Sequence, residues 1–307
     1  MHYNKQKNLF LRQSYQDAWA DYERSLTQAN FIKWDYVLLT ASNENQAEVY
    51  KREIERRLEK GFLPKETHYD VLPDPEGKRV GSGGATFQVL RYIVEQETEK
   101  KKVRNTERQT DGPINRQANP FQNRRILVVH SGGDSKRIPQ YSACGKLFSP
   151  VPRELPDGRG STLFDEFIIS MSAVPSRIAE GMLVLSGDVL LLFNPLQIDG
   201  QFQGAAAISI KSPVEVGKDH GVYLSSETGM VQKFLHKQSE EKLREMGAIN
   251  GEGNVDLDTG FFFIESRLLR DLYGLISVEG KTDEERFRRF CNEEARISFY
   301  GDFLYPL

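Results

Sequence analysis

Residues 126 to 152 (ILVVHSGGDSKRIPQYSACGKLFSPVP) hold the types and spacings that can do phosphate chemistry. A β-branched apolar run, Ile126 to Val129, stops at the Gly132-Gly133 pair, and two cations follow, Arg137 and Lys146. A buried strand that ends in glycines presents several backbone N–H groups at its carboxyl edge, and such a concavity binds anions, phosphate above all. Glycine suits the place because a Cβ would hold phosphate oxygens away from the backbone. The stretch is predicted to cradle a triphosphate, with Arg137 on the leaving β and γ phosphates. The plainer reading of both cations is a solvated loop residue. No Gly-Lys-Ser/Thr closes the loop, so it is not a Walker A motif.

Asp188 ends the apolar run MLVLSGD, at the carboxyl end of a strand, where α/β proteins place their ligands. It is the first candidate ligand for magnesium, an ion that takes few carboxylates and fills its shell with phosphate oxygens and water. The alternative is a turn aspartate. Asp302, in FYGDFL, is a candidate second carboxylate, because an unpaired charge in an apolar segment is costly. Its alternative is an aspartate bonded to backbone amides. None of the five histidines has a partner at metal-ligand spacing. GSGGAT (81 to 86) fails as a dinucleotide fingerprint, since Thr86 stands where a third glycine belongs. It reads either as a nucleotide-facing loop or as a helix-start turn. Ser131 and Cys144 lack the elbow and the base that a nucleophile needs.

These segments together carry a family resemblance. The loop, Arg137 and the Cys144-Gly145-Lys146 triplet look like the G-x-G-T-R and P-K signature of sugar-nucleotide pyrophosphorylases, with Cys-Gly-Lys in place of Pro-Lys. HSGGDSKRIP, GKLF, FLHKQS and YGDFL, in that order, resemble the fucose-1-phosphate guanylyltransferase family, including the N-terminal part of its bacterial bifunctional L-fucokinase members. The resemblance covers roughly residues 35 to 307. It implies a Rossmann-like nucleotidyltransferase fold and the joining of GTP to L-fucose-1-phosphate with release of pyrophosphate. It also implies a nucleotide loop of Ser131, Gly132, Gly133 and Ser135, a base-facing loop with Gly83 and Gly84 in permuted order, and Mg2+ on Asp188. Lys237 resembles the lysine of a Glu-Lys-Pro element that grips the sugar-1-phosphate, with His236 and Gln238 replacing its neighbours. Asp258 and Thr259 resemble sugar-hydroxyl partners; strand-start capping is the alternative. In the bacterial members a longer chain continues into a kinase domain, so this chain is expected to be truncated at its C-terminus.

In the implied reaction the attacking phosphate oxygen is already an anion, so no general base is obligatory. Catalysis is then alignment and charge neutralisation. The residues by themselves give only a nucleotide-sugar site. A uridylyltransferase for a hexose-1-phosphate and a non-catalytic nucleotide-binding module remain open, and an NAD enzyme is disfavoured by the missing glycine.

The rest of the 307 residues must position these groups. Acidic and basic side chains nearly balance, at a net charge of −3, which argues against a nucleic-acid binder driven by global charge. Two distant cysteines make no disulfide framework or zinc spacing, and no apolar run is long enough for a signal peptide or a membrane span; a cytoplasmic protein without membrane partners is expected. Residues 1 to 34 form a helical extension, with a helix over 14 to 29. YVLLTA (36 to 41), MLVLSGDVLLLF (182 to 193) and AAAISI (205 to 210) read as buried strands, and Asn43 as the cap of a helix that Gly61 ends. HGVYLSSETGMVQKFLHK is predicted to be a hairpin. GFFFI (260 to 264) and ISFYGDFL (297 to 304) look strand-like, the second with entry into a helix as its alternative. Residues 97 to 125, nearly free of aliphatic side chains, read as a mobile surface insertion in a domain spanning 35 to 307. Strands alternating with helices predict an α/β fold, its mostly parallel sheet covered on both faces.

Overall fold

The computed structural model describes residues 2–108, 119–131, 141 and 145–303. Helix α1 (His2–Thr27) comes first, with Ala18, Trp19 and Tyr22 buried. Strand and helix then alternate: β1 (Tyr36–Ala41), α2 (Glu44–Glu59), β2 (His68–Pro73), α3 (Gly81–Arg108) and β3 (Arg125–His130). The ribbon of β4 (Pro150–Glu154) and β5 (Gly160–Thr162) leads into α4 (Leu163–Ser170) and β6 (Gly181–Ser186). Next come β7 (Ala205–Pro213), the single turn α5 (Val214–Gly217), β8 (Gly221–Ser225), β9 (Val231–His236), α6 (Glu240–Glu245) and the long β10 (Asn254–Ile264). Then come α7 (Ser266–Leu275), the short pair β11 (Ser277–Val278) and β12 (Lys281–Thr282), and α8 (Glu284–Phe290), and the described part closes with a turn at Phe299–Phe303.

The main sheet has the order β2-β1-β3-β6-β10-β8-β9, with β7 also paired to β10. β2, β1, β3 and β6 are parallel, and the strands from β10 outward form an antiparallel wing. This is a Rossmann-like α/β fold. Alternate residues of the parallel strands enter two cores. Leu39, Val129 and Leu185 face α1, α2 and α4, while Leu38, Val128 and Val184 face α3 and α7. Burial on both faces explains why these strands are continuous apolar runs instead of alternating ones. Each fully buried aliphatic side chain contributes about 1.5 to 3 kcal/mol.

The chain leaves β1 for β2 on one side and returns to β3 on the other. A crevice therefore opens between the carboxyl ends of β1 and β3, the place where open α/β sheets bind ligands.

Several local expectations hold. Asn43 caps α2 by accepting from Gln46 N at 2.9 Å, and Gly61 ends it at φ +71°. The hairpin forms as β8 and β9. Others are corrected. Residues 97 to 108 belong to α3, and the loop after 118 buries Phe121, so the ends of the supposed insertion are ordered parts of the fold. The low aliphatic content misleads because the inner face is ionic. Glu97 is buried and accepts from Tyr36 Oη at 2.6 Å and from Arg124 at 2.7 Å. Residues 109 to 118 lie outside the described part. The strand of the Gly-Asp motif ends at Ser186, and Val189 and Leu190 beyond it are exposed. β7 is longer than expected and lies largely open on the wing. Residues 299 to 303 form a π-helical turn, the helical of the two readings of that segment. Asp302 closes it by donating from its N to Ser298 O at 2.7 Å, while its carboxylate accepts from Ser298 N at 2.6 Å. Among the described residues no helix is long and apolar enough to cross a membrane.

Candidate functional site

Three segments converge at the carboxyl ends of β3 and β6. Gly187 N donates to His130 O at 3.0 Å, which lays the turn after β6 on the start of the glycine loop. A Cβ on Gly187 would meet His130 O at 2.8 Å and Ser131 Cα at 3.1 Å, so the Gly of the Gly-Asp pair is there for backbone approach. Asp188 follows directly. Its Oδ1 accepts from Ser186 Oγ at 2.6 Å, and its Oδ2 lies 3.4 Å from Lys146 Nζ. Its side chain is 55% exposed, against 32% for Lys146. Partial burial alone would raise the Asp188 carboxyl, but the Ser186 hydrogen bond and the Lys146 charge outweigh it and hold the group below the usual range.

Lys146 is delivered by Gly145, which sits at φ +69° with its α-carbon against Tyr50 Oη and Gln46 of α2; a side chain there would collide with both. α2 is in turn tied to α4 by Arg57, whose guanidinium grips Asp165 at 2.8 and 3.0 Å. The sequence signals the Lys146 motif but not the glycine's reason, which is a contact 95 residues away along the chain.

Ser131 staples this edge to β1. Its N donates to Thr40 Oγ1 at 3.2 Å and its Oγ to Thr40 O at 2.6 Å. Gly132, Gly133, Ser135 and Arg137, the remainder of the expected phosphate loop, lie outside the described residues, as does Cys144. The loop's entrance and its exit side at Lys146 thus meet at Asp188.

Beside Ser131 a cleft of about 250 Å³ fills the crevice between β1 and β3, lined by Thr40, Ser42, Asp74, Arg79, Ser82 and His130 among others. His130 Nε2 is 3.2 Å from Thr86 Oγ1, which donates to Ser82 O at 2.8 Å, so the ring nitrogen is the donor of the pair. Burial pushes the imidazole down to about 4, and it is neutral at pH 7. Burial pushes Asp74 up to about 6 despite the Arg79 charge and the Val80 N–H. The sequence reading missed Asp74 and Arg79, which lie in a turn, LPDPEGKR, that looks like surface. Gly83 and Gly84, expected to face the base, have a packing reason instead. Side chains there would strike Ile297 and Val80, Gly83 N donates to Ile297 O at 2.8 Å, and Cys291 Sγ donates to Gly84 O.

The remaining candidates lie on the wing. β10 runs antiparallel to β6 with Phe262 opposite Val184, so its first half projects along the edge that carries Asp188. Asp258 accepts from Tyr223 Oη at 2.8 Å and Gly260 N at 2.9 Å. Burial raises its carboxyl, against those bonds and the nearby His236 and His220. Thr259 is buried and donates to Ile208 O at 2.5 Å, at the bulge between β10 and β7. Lys237, exposed at φ +50°, donates its N to His220 O just past the end of β9. With strands about 4.8 Å apart, Lys237 stands three strands, or roughly 14 Å, from β6. No contact joins Asp302 to Asp188 in this arrangement. Among the described residues there is also no group of three or more His, Cys, Asp or Glu that could hold a metal. A single exposed, ionised carboxylate still fits magnesium when phosphates complete the shell.

The fold is thus of the Rossmann-like α/β class, with a carboxylate, a lysine and the start of the glycine loop meeting at one edge of the sheet. The family model for the Fucose pyrophosphorylase domain matches residues 118–307, and the chain belongs to that family. It is 29% identical over 292 residues to the bifunctional fucokinase/GDP-fucose pyrophosphorylase of Arabidopsis thaliana, covering 88% of this chain and 27% of that protein. It is 25% identical over 309 residues to the fucose-1-phosphate guanylyltransferase of Mus musculus, covering 89% and 46%. It is 23% identical over 214 residues to the L-fucokinase/L-fucose-1-P guanylyltransferase of Bacteroides fragilis, covering 67% and 21%. The chain thus spans less than half the length of each of these relatives.

Proposed function

We propose that the protein is a sugar-1-phosphate nucleotidyltransferase that joins GTP and L-fucose-1-phosphate to give GDP-L-fucose and pyrophosphate. The observation that carries this is the Lys146–Asp188 pair, 3.4 Å apart, held on the glycine-loop entrance by the Gly187–His130 bond. Family membership supplies the sugar and the base. An oxygen of the sugar-1-phosphate attacks the α-phosphorus and stays bonded to it, the bond from the α-phosphorus to the α–β bridging oxygen breaks, and pyrophosphate leaves with the bridging oxygen. Lys146 neutralises phosphate charge while the two anions approach, and Arg137 is assigned to the leaving phosphates. Asp188, together with phosphate oxygens and water, would hold a magnesium ion, which supplies further charge neutralisation when bound. Asp302 is left out of this proposed site, because its carboxylate accepts from Ser298 N at 2.6 Å, a bond that gives it a place in the turn.

Lys237 and Asp258 are assigned to the sugar-phosphate. Thr259, its hydroxyl proton committed to Ile208, shapes the bulge that sets Asp258. A fucokinase, as in the bifunctional relatives, would supply the sugar-1-phosphate in the cytoplasm.

The test is pyrophosphate release with a panel of nucleoside triphosphates and sugar-1-phosphates. Release that requires both GTP and L-fucose-1-phosphate supports the reading. Preference for UTP with a hexose-1-phosphate would move it to a uridylyltransferase. Heat on titrating GTP without turnover would leave a nucleotide-binding module.

A further inference from the structure

The cleft at the switch point holds charged groups that the phosphate chemistry does not use. Asp74 follows β2 and is held by its own backbone: its N donates to Ala41 O at 2.7 Å, and its O accepts from Gly77 N at 3.0 Å. It is 9% exposed, and it lines the cleft together with Arg79. We propose that this pair reads the base of the bound nucleotide, Asp74 accepting from guanine N1–H and N2–H and Arg79 donating to O6 or N7, so that the cleft selects guanine. The proposal rests on the nucleotidyltransfer reading of the adjoining site and adds the residues that set base specificity.

Three observations support it. The first is position. Thr40 and His130 line the cleft, and Ser131, the first residue of the glycine loop, is bonded to Thr40. A nucleoside in the cleft therefore places its phosphates toward Lys146 and Asp188. From β1 to β6 is two strands, about 10 Å, the span of a base and its ribose. The second is size. A cleft of about 250 Å³ falls just below pockets for drug-sized ligands, about 300 to 1,000 Å³, and suits one planar base. The third is hydrogen-bond polarity. A carboxylate only accepts and a guanidinium only donates. Guanine presents two adjacent donors on one edge and two acceptors, O6 and N7, beside them, and arginine matches the latter bidentately. Uracil offers one donor between two acceptors, and adenine offers an acceptor where guanine has N1–H. Such an acceptor would sit against the carboxylate's free lone pairs in place of a donor, which is repulsive and leaves the desolvation of both groups uncompensated.

The experiment measures calorimetric binding of nucleoside diphosphates to the whole chain. The wild type should bind GDP more tightly than UDP or ADP. 1-Methyl-GDP, which lacks the N1 proton, should bind about tenfold to a hundredfold more weakly than GDP, the loss expected for a hydrogen bond to a charged group. Asp74→Asn should lose GDP affinity by a similar factor and gain affinity for XDP, whose O2 accepts where guanine N2 donates. Equal binding of GDP and 1-methyl-GDP, or an unchanged GDP-to-XDP ratio in Asp74→Asn, overturns the proposal while leaving nucleotidyltransfer standing. Failure of the wild type to bind any nucleoside diphosphate overturns both. Should the variant not fold, the comparison of GDP with 1-methyl-GDP on the wild type decides alone.

Discussion

At the carboxyl ends of β3 and β6 the backbone does the placing. Gly187 bonds His130, Gly145 presses on α2, and Lys146 and Asp188 are carried to one point by those contacts. On the wing, at β8, β9 and β10, side chains do it. Tyr223 holds Asp258, Thr259 holds Ile208, and Lys237 extends from a left-handed residue at a strand end. The parallel half is buried on both faces and tolerates little movement. The wing reaches the two main cores through Tyr223, Phe234 and the second half of β10, adds one small core of its own, built on Val214, Val222, Leu235, Leu243 and Val255, and keeps much open surface. On the proposed function, the contrast puts a rigid floor under the reacting phosphates and a more adjustable rim at the sugar.

The strongest way to break this contrast is Gly187→Val. Its side chain would enter the space of His130 O and Ser131, and overpacking of this kind costs about 3 kcal/mol. Thermal melting should drop, and turnover should fall with it because Asp188 is displaced. Wild-type melting in this variant would mean that the close approach constrains nothing.

The floor should also show itself in pH dependence. The folded pKa of His130 is depressed to about 4, against about 6.5 for an unfolded histidine. Between these values the unfolded chain binds more protons, so this histidine's contribution is complete above pH 6.5 and is lost as pH falls toward 4. Asp74, raised to about 6, runs the other way and partly offsets it. Chemical denaturation of the wild type and His130→Gln at several pH values checks this. The variant should show a shallower loss of stability between pH 6.5 and 4, and identical slopes would remove His130 from the account.

On the wing the effect is smaller. Thr259→Val removes one hydrogen bond to Ile208 O and should cost about 1 kcal/mol. If Thr259 only shapes the bulge, the Michaelis constant for the sugar-phosphate should rise while that for the nucleotide stays put. A shift confined to the nucleotide would erase the division between floor and rim.

Much of the floor was legible in the chain and little of the rim. β1, β3 and β6 announce themselves as β-branched runs bounded by glycine, because burial on both faces forces that composition. The meeting of Lys146 with Asp188 is legible because both stand at fixed offsets from strand ends and glycines, whereas Gly132 to Arg137 lie outside the described residues. Asp74 and Arg79 are not, since a Pro- and Gly-rich turn looks the same whether it faces solvent or a cleft. Residues 97 to 103 misled because their buried group is Glu97, paired with Arg124, instead of an aliphatic residue. Residues 299 to 303 left strand and helix both open, because their aromatics, which suit a strand, here fill the gap between α3 and the sheet from a helical turn, Phe299 against Phe262 and Phe303 against Phe87.

The most direct test of the central claim is the rate of pyrophosphate release from GTP and L-fucose-1-phosphate, with magnesium, by the wild type and by Asp188→Asn. Asparagine keeps the size of the side chain and removes the charge that pairs with Lys146. The account predicts a loss of about a hundredfold or more with melting nearly unchanged, and a shift to higher magnesium for half-maximal rate. A variant with wild-type turnover and wild-type magnesium response would contradict it, because the reaction centre would then lie elsewhere than on the edge where β3 and β6 meet.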